Sequence, residues 1–298
     1  MTTARAIVLA RGLGTRMRAS DPSAMLTPDQ QRAADAGLKA MIPLNGRPFL
    51  DYILSSVADA GVQRVALIVA PDHAALRDYY SVSPPERVRL DYVVQERPLG
   101  TANAVLAAEA WVTGEPFLAM NADNLYPAPA LLELAALSEP ALPAFDPDDL
   151  VQSSNIPSER IRSFAFLDIN ETGYLVGIVE KPNKERPPNQ LPPRLRRSVG
   201  ALRAKAESGS LKEHKEVMES GSCISMNCWR FDARIFQACR DVPRSARGEF
   251  ELPEAVGVAV RQGVRFKTFP AQGPVLDLST RADTADVSRR LAGIVPRP

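Results

Sequence analysis

Histidine and cysteine are scarce in this chain, with two histidines and three cysteines in 298 residues. Cys223, Cys228 and Cys239 fall in one region, without the spacing or the histidine partners of a zinc site. An odd cysteine count fits a reduced compartment better than a disulfide framework. No apolar run approaches the roughly 18 residues of a spanning helix, and the first residues hold no long apolar signal region. The expectation is a soluble, cytoplasmic protein with no membrane contact. An excess of one charge is also missing: 36 Lys+Arg against 35 Asp+Glu leave a net charge of +1. Bulk electrostatics therefore point to no nucleic-acid partner. No hexapeptide repeat occurs toward the C-terminus, so no β-helix is expected within the chain.

The remaining composition is ordinary for a globular protein, 45% hydrophobic and 24% charged. The length suits one large α/β domain. Short apolar runs read as buried parallel strands at Ala6–Leu9, Val65–Val69 and Phe117–Met120, with a partly alternating run at 88–94. Helices are expected between them. One follows Arg47, with apolar residues at 49, 50, 53, 54 and 57, and ends at Gly61. Others cover about 72–80, the stretch after Thr101, about 128–137, about 284–291, and 28–36 in an insertion spanning 19–38. Thr27, Pro28 and Gln30 supply a capping box for the insertion helix. Residues 126–160 beyond the 128–137 helix read as an irregular connection. A hairpin is expected over 163–179, and a basic loop over 183–215 with a helix at about 196–207.

The first strand runs into Leu9-Ala10-Arg11-Gly12-Leu13-Gly14-Thr15-Arg16. Glycines there let backbone N–H groups approach a phosphate closely, and Arg16 adds a planar, permanently charged donor. No Gly-Lys-Ser/Thr follows, so this is not a P-loop. Met17 stands where a dinucleotide fingerprint would need its third glycine.

Gly12-Leu13-Gly14-Thr15-Arg16-Met17, followed by Lys39-Ala40-Met41-Ile42-Pro43, resembles the signature of the sugar-1-phosphate nucleotidylyltransferases. The resemblance extends through Gln95–Gly100, Ala122-Asp123, Glu180-Lys181-Pro182, Ser225–Phe231, Gly248–Ala255 and Val275–Thr280, in the family's order. Arg11 stands where the family usually has a small residue. The 19–38 segment is longer than usual. Ser225, Asn227 and Trp229 replace an Asn, a Gly and a Tyr.

The resemblance implies a doubly wound, mainly parallel α/β sheet with a small sugar-binding β extension. It implies one catalytic domain over 1–298, with a nucleotide part to about 125 and a sugar part after it. The nucleotide would meet Leu9, Ala10, Gly12, Gly14, Thr15, Gln95, Gly100 and Thr101. Gln95 and Gly100, five residues apart, would read a pyrimidine, because an amide offers both a donor and an acceptor to an imide edge. Arg16, Lys39 and Lys181 would be the catalytic cations, with Glu180 and Asn227 on the sugar. Asp123 and Asp277 would hold Mg²⁺, each emerging after an apolar strand at one sheet edge. The implied reaction joins UTP or dTTP to a sugar 1-phosphate and releases pyrophosphate. The partners are these small molecules, and a homo-oligomer is left open. A guanylyltransferase for mannose or heptose 1-phosphate and a non-catalytic nucleotide-sugar-binding homologue remain alternatives.

Overall fold

The computed structural model describes residues 3–180 and 223–298. Lys181, the basic loop and the helix expected at about 196–207 lie outside the described residues.

The nucleotide half follows its apolar periodicities closely. Strands β1 (Arg5–Leu9), β4 (Arg64–Val69), β5 (Arg89–Val94) and β6 (Phe117–Asn121) lie parallel in the order β6-β1-β4-β5. Between β1 and β4 a two-residue hairpin forms from β2 (Pro43–Leu44) and β3 (Arg47–Pro48). Both faces of the strands are covered, which is why they read as continuous apolar runs. Ala6 and Val8 pack into one core layer and Ile7 into the opposite one. Helices α3 (Phe49–Asp59) and α4 (Ala74–Val82) contribute to the first layer. Helices α5 (Thr101–Ala107) and α6 (Glu109–Val112) contribute to the second. The chain thus winds outward from β1 on one face, then crosses to β6 on the other. The switch point lies between the C-terminal ends of β1 and β6, where doubly wound sheets open a crevice for ligands.

Within the insertion, α2 (Pro28–Asp35) carries the expected capping box: Thr27 Oγ1 accepts from the Gln30 N–H and Gln30 Oε1 accepts from the Thr27 N–H. The helix after the glycine loop, α1 (Thr15–Arg18), is a single turn. A helix that short adds little macrodipole, so anion binding there falls to the loop N–H groups and the arginines.

Residues 126–160 depart from the expected irregular connection. After β7 (Asn124–Leu125) and α7 (Ala128–Ala136) they form β8 (Ala141–Phe145), α8 (Pro147–Ser153) and a 3-10 turn at Ser158–Ser163. All five residues of β8 are buried. Pro143 argued against a central strand, because proline cannot donate to a ladder. The neighbouring strand explains how it is accommodated. β11 (Cys223–Ser225) and β12 (Cys228–Phe231) run along the same edge of β8, paired at Ile224↔Phe145 and Arg230↔Ala141. Seven residues on one side (224–230) thus span five on the other (141–145), and the surplus is taken up by a kink at Met226–Asn227. Pro143 falls between the two registered pairs, opposite that kink. β13 (Lys267–Ala271) lies parallel on the other edge of β8.

The far edge of the kinked strand is shared. β12 pairs with β6, and β11 pairs with β9 (Ala165–Ile169). The expected hairpin is β9 with β10 (Leu175–Glu180), joined by a turn that Asn170 caps. Helices α9 (Arg234–Asp241) and α10 (Leu252–Arg261) cover the second core layer, and α11 (Asp283–Arg290) follows β14 (Leu276–Asp277).

Beneath α3 lies a buried polar knot. Asp51, with no exposed surface, accepts from Tyr80 Oη (2.9 Å), Tyr79 Oη (2.8 Å) and Arg47 Nε (2.8 Å). Burial and the Asp51 charge raise both phenols, Tyr79 to about 12. Asp51→Ala leaves two hydroxyls and a guanidinium without their acceptor. It should cost about 3 kcal/mol, the scale for breaking a buried charged network, read as a lower urea midpoint with an unchanged slope.

Candidate active site

A cleft of about 380 Å³ opens at the C-terminal ends of β1, β4, β5 and β6. Leu9, Ala10, Gly12, Gly14, Thr15, Arg16, Lys39, Gln95, Gly100, Thr101 and Asp123 all line it. Sequence positions as far apart as 9 and 123 therefore converge on one wall.

The two loop glycines are there for different reasons. Gly14 has φ +61°, and a Cβ on it would lie 2.4 Å from Gly37 O. Gly37, at the end of the insertion, has φ +74° and would itself meet Leu13 O at 2.8 Å. The two glycines are packed backbone to backbone. Gly12 has nothing within 4 Å of the place a Cβ would take. Its neighbourhood is open to the cleft, as close approach of a phosphate requires.

Gly100, at φ +102°, is also a glycine for packing reasons. A Cβ there would lie 2.5 Å from Phe250 O. The segment before α10 is stitched to this turn, with Phe250 N–H donating to Leu99 O (2.7 Å), Ala102 N–H to Phe250 O (2.9 Å) and Leu252 N–H to Thr101 Oγ1 (2.9 Å). Arg247 and Glu249 thereby enter the cleft wall. Neither was assigned a role from the sequence; both precede the helix, which begins only at Leu252. His73, after β4, also lines the cleft, and burial lowers its imidazole below the ordinary value.

Asp123 follows β6 by one turn. Its carboxylate lies 3.0 Å from Lys39 Nζ, with both side chains largely shielded. Asp277 comes close by a route other than the expected one. It does not emerge from the main sheet: β14 pairs antiparallel with β7 in a separate two-stranded ribbon, Asp277 opposite Asn124. Leu278 N–H donates to Asp123 O at 2.8 Å, so the two aspartates lie on touching backbones. Asp277 is buried and does not line the cleft. Its Oδ2 pairs with Arg160 Nη1 (2.9 Å). Its Oδ1 accepts from Ser279 Oγ (2.7 Å), with Asn124 Nδ2 at 3.4 Å. Arg160 also holds Asp283 at 2.8 Å. Burial and the nearby Asp123 charge push the Asp277 carboxyl up, and Ser279 and Arg160 draw it back. Arg160 carried no signal in the sequence, since it belongs to no motif and its partners Asp277 and Asp283 lie more than 100 residues away. Among the described residues no group of three His, Cys, Asp or Glu is arranged to hold a metal by itself.

The sugar-side residues lie next to the cleft rather than in its wall. Asn227 stands at the kink with φ +56°, a conformation that asparagine and glycine share. This accounts for asparagine where glycine is usual. Cys228 pairs with Met120, which brings Asn227 beside Asn121 in the cleft wall. Among the described residues the buried Asn227 Oδ1 has no hydrogen-bond partner. Ser225 and Trp229, the other two departures, point inward. Ser225 Oγ accepts from Asn227 N–H, and Trp229 is wholly buried, stacked on Phe231. Glu180 ends β10, with Arg247 Nη2 3.7 Å from its carboxylate.

A family model described as nucleotidyl transferase matches residues 5–290. The chain belongs to that family. It is 24% identical to a UTP–glucose-1-phosphate uridylyltransferase of Haloferax volcanii, across 96% of each chain. It is 22% identical to the bifunctional protein GlmU of Methanococcus maripaludis, over 87% of this chain; it spans about half the length of that relative. A solved UTP-bound UGPase from Acinetobacter baumannii superposes with a TM-score of 0.68 at 17% identity, covering 100% of this chain and 95% of the other. The expected doubly wound fold and family are thus borne out. No helix among the described residues is long and apolar enough to cross a membrane.

Proposed function

We propose that this chain is a sugar-1-phosphate nucleotidylyltransferase that joins UTP or dTTP to a sugar 1-phosphate in the cytoplasm. The observation that carries the reading is the convergence on one cleft of the open Gly12 loop with Arg16, the Lys39–Asp123 pair and the Gln95–Gly100 turn. The nucleotide occupies the half up to about residue 125 and the sugar the half after it.

The nucleophile, a sugar-phosphate oxygen, is already anionic, so no general base is needed. Catalysis is positioning plus charge neutralisation around an in-line displacement at the α-phosphorus. Loop N–H groups and Arg16 hold the departing pyrophosphate. Lys39 leaves Asp123 for the α-phosphate and neutralises charge there, and Lys181 meets the incoming phosphate. Glu180 and Asn227 accept from sugar hydroxyls, Asn227 through the buried Oδ1.

A divalent cation fits this arrangement. Mg²⁺ takes one or two carboxylates and completes its shell with phosphate oxygens and water. Asp123, at the cleft wall, would hold it. Asp277 would be the second ligand through Oδ1, whose present donors are a hydroxyl and an amide, while Oδ2 stays on Arg160. The ion would neutralise charge on the reacting phosphates.

Calorimetric titration with UTP, dTTP, GTP and ATP should rank the two pyrimidine nucleotides first. Pyrophosphate release over a panel of sugar 1-phosphates should then follow with one of them. A purine nucleotide binding best would transfer the assignment to a guanylyl- or adenylyltransferase, and no turnover with any pair would leave a nucleotide-binding regulator.

A further inference from the structure

Arg11 stands where the family usually has a small residue, and the proposed mechanism leaves its side chain unused. The guanidinium lines the same cleft as Gln95 and Gly100. Its Nε donates to Gln95 O at 3.0 Å, and its Nη2 lies 3.5 Å from Glu96 O. Two backbone carbonyls therefore pin it against the strand end that carries the base-reading glutamine.

That glutamine has less to offer than its formula suggests. Gln95 Nε2 donates to Gly100 O (3.1 Å) and to Asn103 Oδ1 (2.8 Å). A backbone carbonyl can only accept, so the amide cannot be turned round, and both of its donors are spent within the protein. Only Oε1 is left for a ligand, and it is an acceptor. The imide edge of uracil or thymine presents carbonyl, N–H, carbonyl. Gln95 Oε1 can take the central N–H, and two further donors are needed for the carbonyls. Gly100 N–H, which has no partner among the described residues, can supply one. The remaining guanidinium N–H groups of Arg11 are charged donors in the same cleft, held by the Gln95 and Glu96 carbonyls beside the glutamine, whereas Arg247 is engaged by Glu180, Glu249 and Glu251.

Resting on the nucleotide reading above, we infer that Arg11 is a base-specificity residue. It completes a donor–acceptor–donor edge with Gln95 Oε1 and Gly100 N–H that matches uracil and thymine. Cytosine sets a ring-nitrogen acceptor against the Gln95 acceptor and an amino donor against a protein donor. Guanine puts two adjacent donors beside one carbonyl, leaving a protein donor facing an amino group. Mismatched pairs of this kind reject a competitor more sharply than lost contacts do.

The test compares UTP and CTP, which differ at this edge and share their phosphates and ribose. Their binding is measured by calorimetry and by competition on wild type, Arg11→Ala and Arg11→Lys. Arg11→Ala should weaken UTP roughly tenfold or more, the scale of a hydrogen bond to a charged group. CTP should change less than about twofold, so the UTP/CTP ratio collapses. Arg11→Lys, which keeps a charged donor, should recover part of the ratio. Equal weakening of both nucleotides would reduce Arg11 to a brace for the 95–96 backbone and overturn the inference, as would unchanged UTP binding. If wild type favours UTP and Arg11→Ala favours it equally, only the Arg11 assignment fails. If wild type binds neither UTP nor dTTP, the nucleotide reading fails with it.

Discussion

Asp123→Asn should lower turnover by roughly a thousandfold, the upper range for removing one preorganised electrostatic contact. Asparagine keeps the size and one oxygen, so the change removes charge with little disturbance to packing. Two losses coincide in it. The divalent ion loses its cleft-side ligand, and Lys39, now 3.0 Å from the carboxylate, loses the anion that holds it at the cleft in the resting protein. Wild type should be silenced by a chelator and restored by Mg²⁺, while the variant should respond weakly to added metal. Asp277→Asn should behave differently. Its carboxylate balances Arg160, which also holds Asp283, so stability should fall along with metal dependence. Paired kinetic and denaturation measurements on the two variants separate these effects. Near-native, metal-dependent turnover by Asp123→Asn would remove Asp123 from the mechanism.

Arg16→Ala should lower turnover by about a hundredfold or more and raise the KM for the triphosphate less than it lowers kcat. Arg16 is exposed on the one-turn helix α1 and lines the cleft. Among the described residues no ion-pair partner claims it in the resting protein. A donor held for the leaving pyrophosphate is worth most as charge accumulates there, hence the kcat effect. Arg16→Lys should recover only part of the loss, since a point charge lacks the two-pronged geometry. Full turnover by Arg16→Ala at saturating substrates would exclude it.

Where local chemistry decides, the sequence was legible. The buried strands β1, β4 and β6 follow apolar runs, α2 follows its capping box, and the cleft-lining set from Leu9 to Asp123 follows motifs at strand ends. Where a neighbour decides, it was not. β8 was hidden by Pro143, which is tolerated because the adjoining strand is out of register there. Helix α9 was not anticipated, although Ile235, Phe236 and Ala238 are buried within it. At Gly100 the backbone of Phe250, 150 residues away, forbids a side chain, a packing cause that no local pattern shows. Asp277 was expected at the main sheet and reached Asp123 through a two-stranded ribbon instead. Asn227 is the reverse case, because its left-handed backbone explains how asparagine can stand where glycine is usual.

The contact between Gly14 and Gly37 makes the insertion a working part of the phosphate loop. Arg281 fastens the same junction from the C-terminal side, donating to Met17 O at 2.8 Å and to Asp35 at 2.5 Å, while Arg18 donates to Ala36 O at 2.9 Å. Three distant stretches of chain are thus riveted around a point where no side chain fits. Trimming 19–38 to the usual family length would take out one plate of that joint and let the loop sag. Any shortened or grafted version must therefore carry a replacement for Gly37 and a new anchor for Arg281, and neither glycine can take a side chain without moving the backbone it meets.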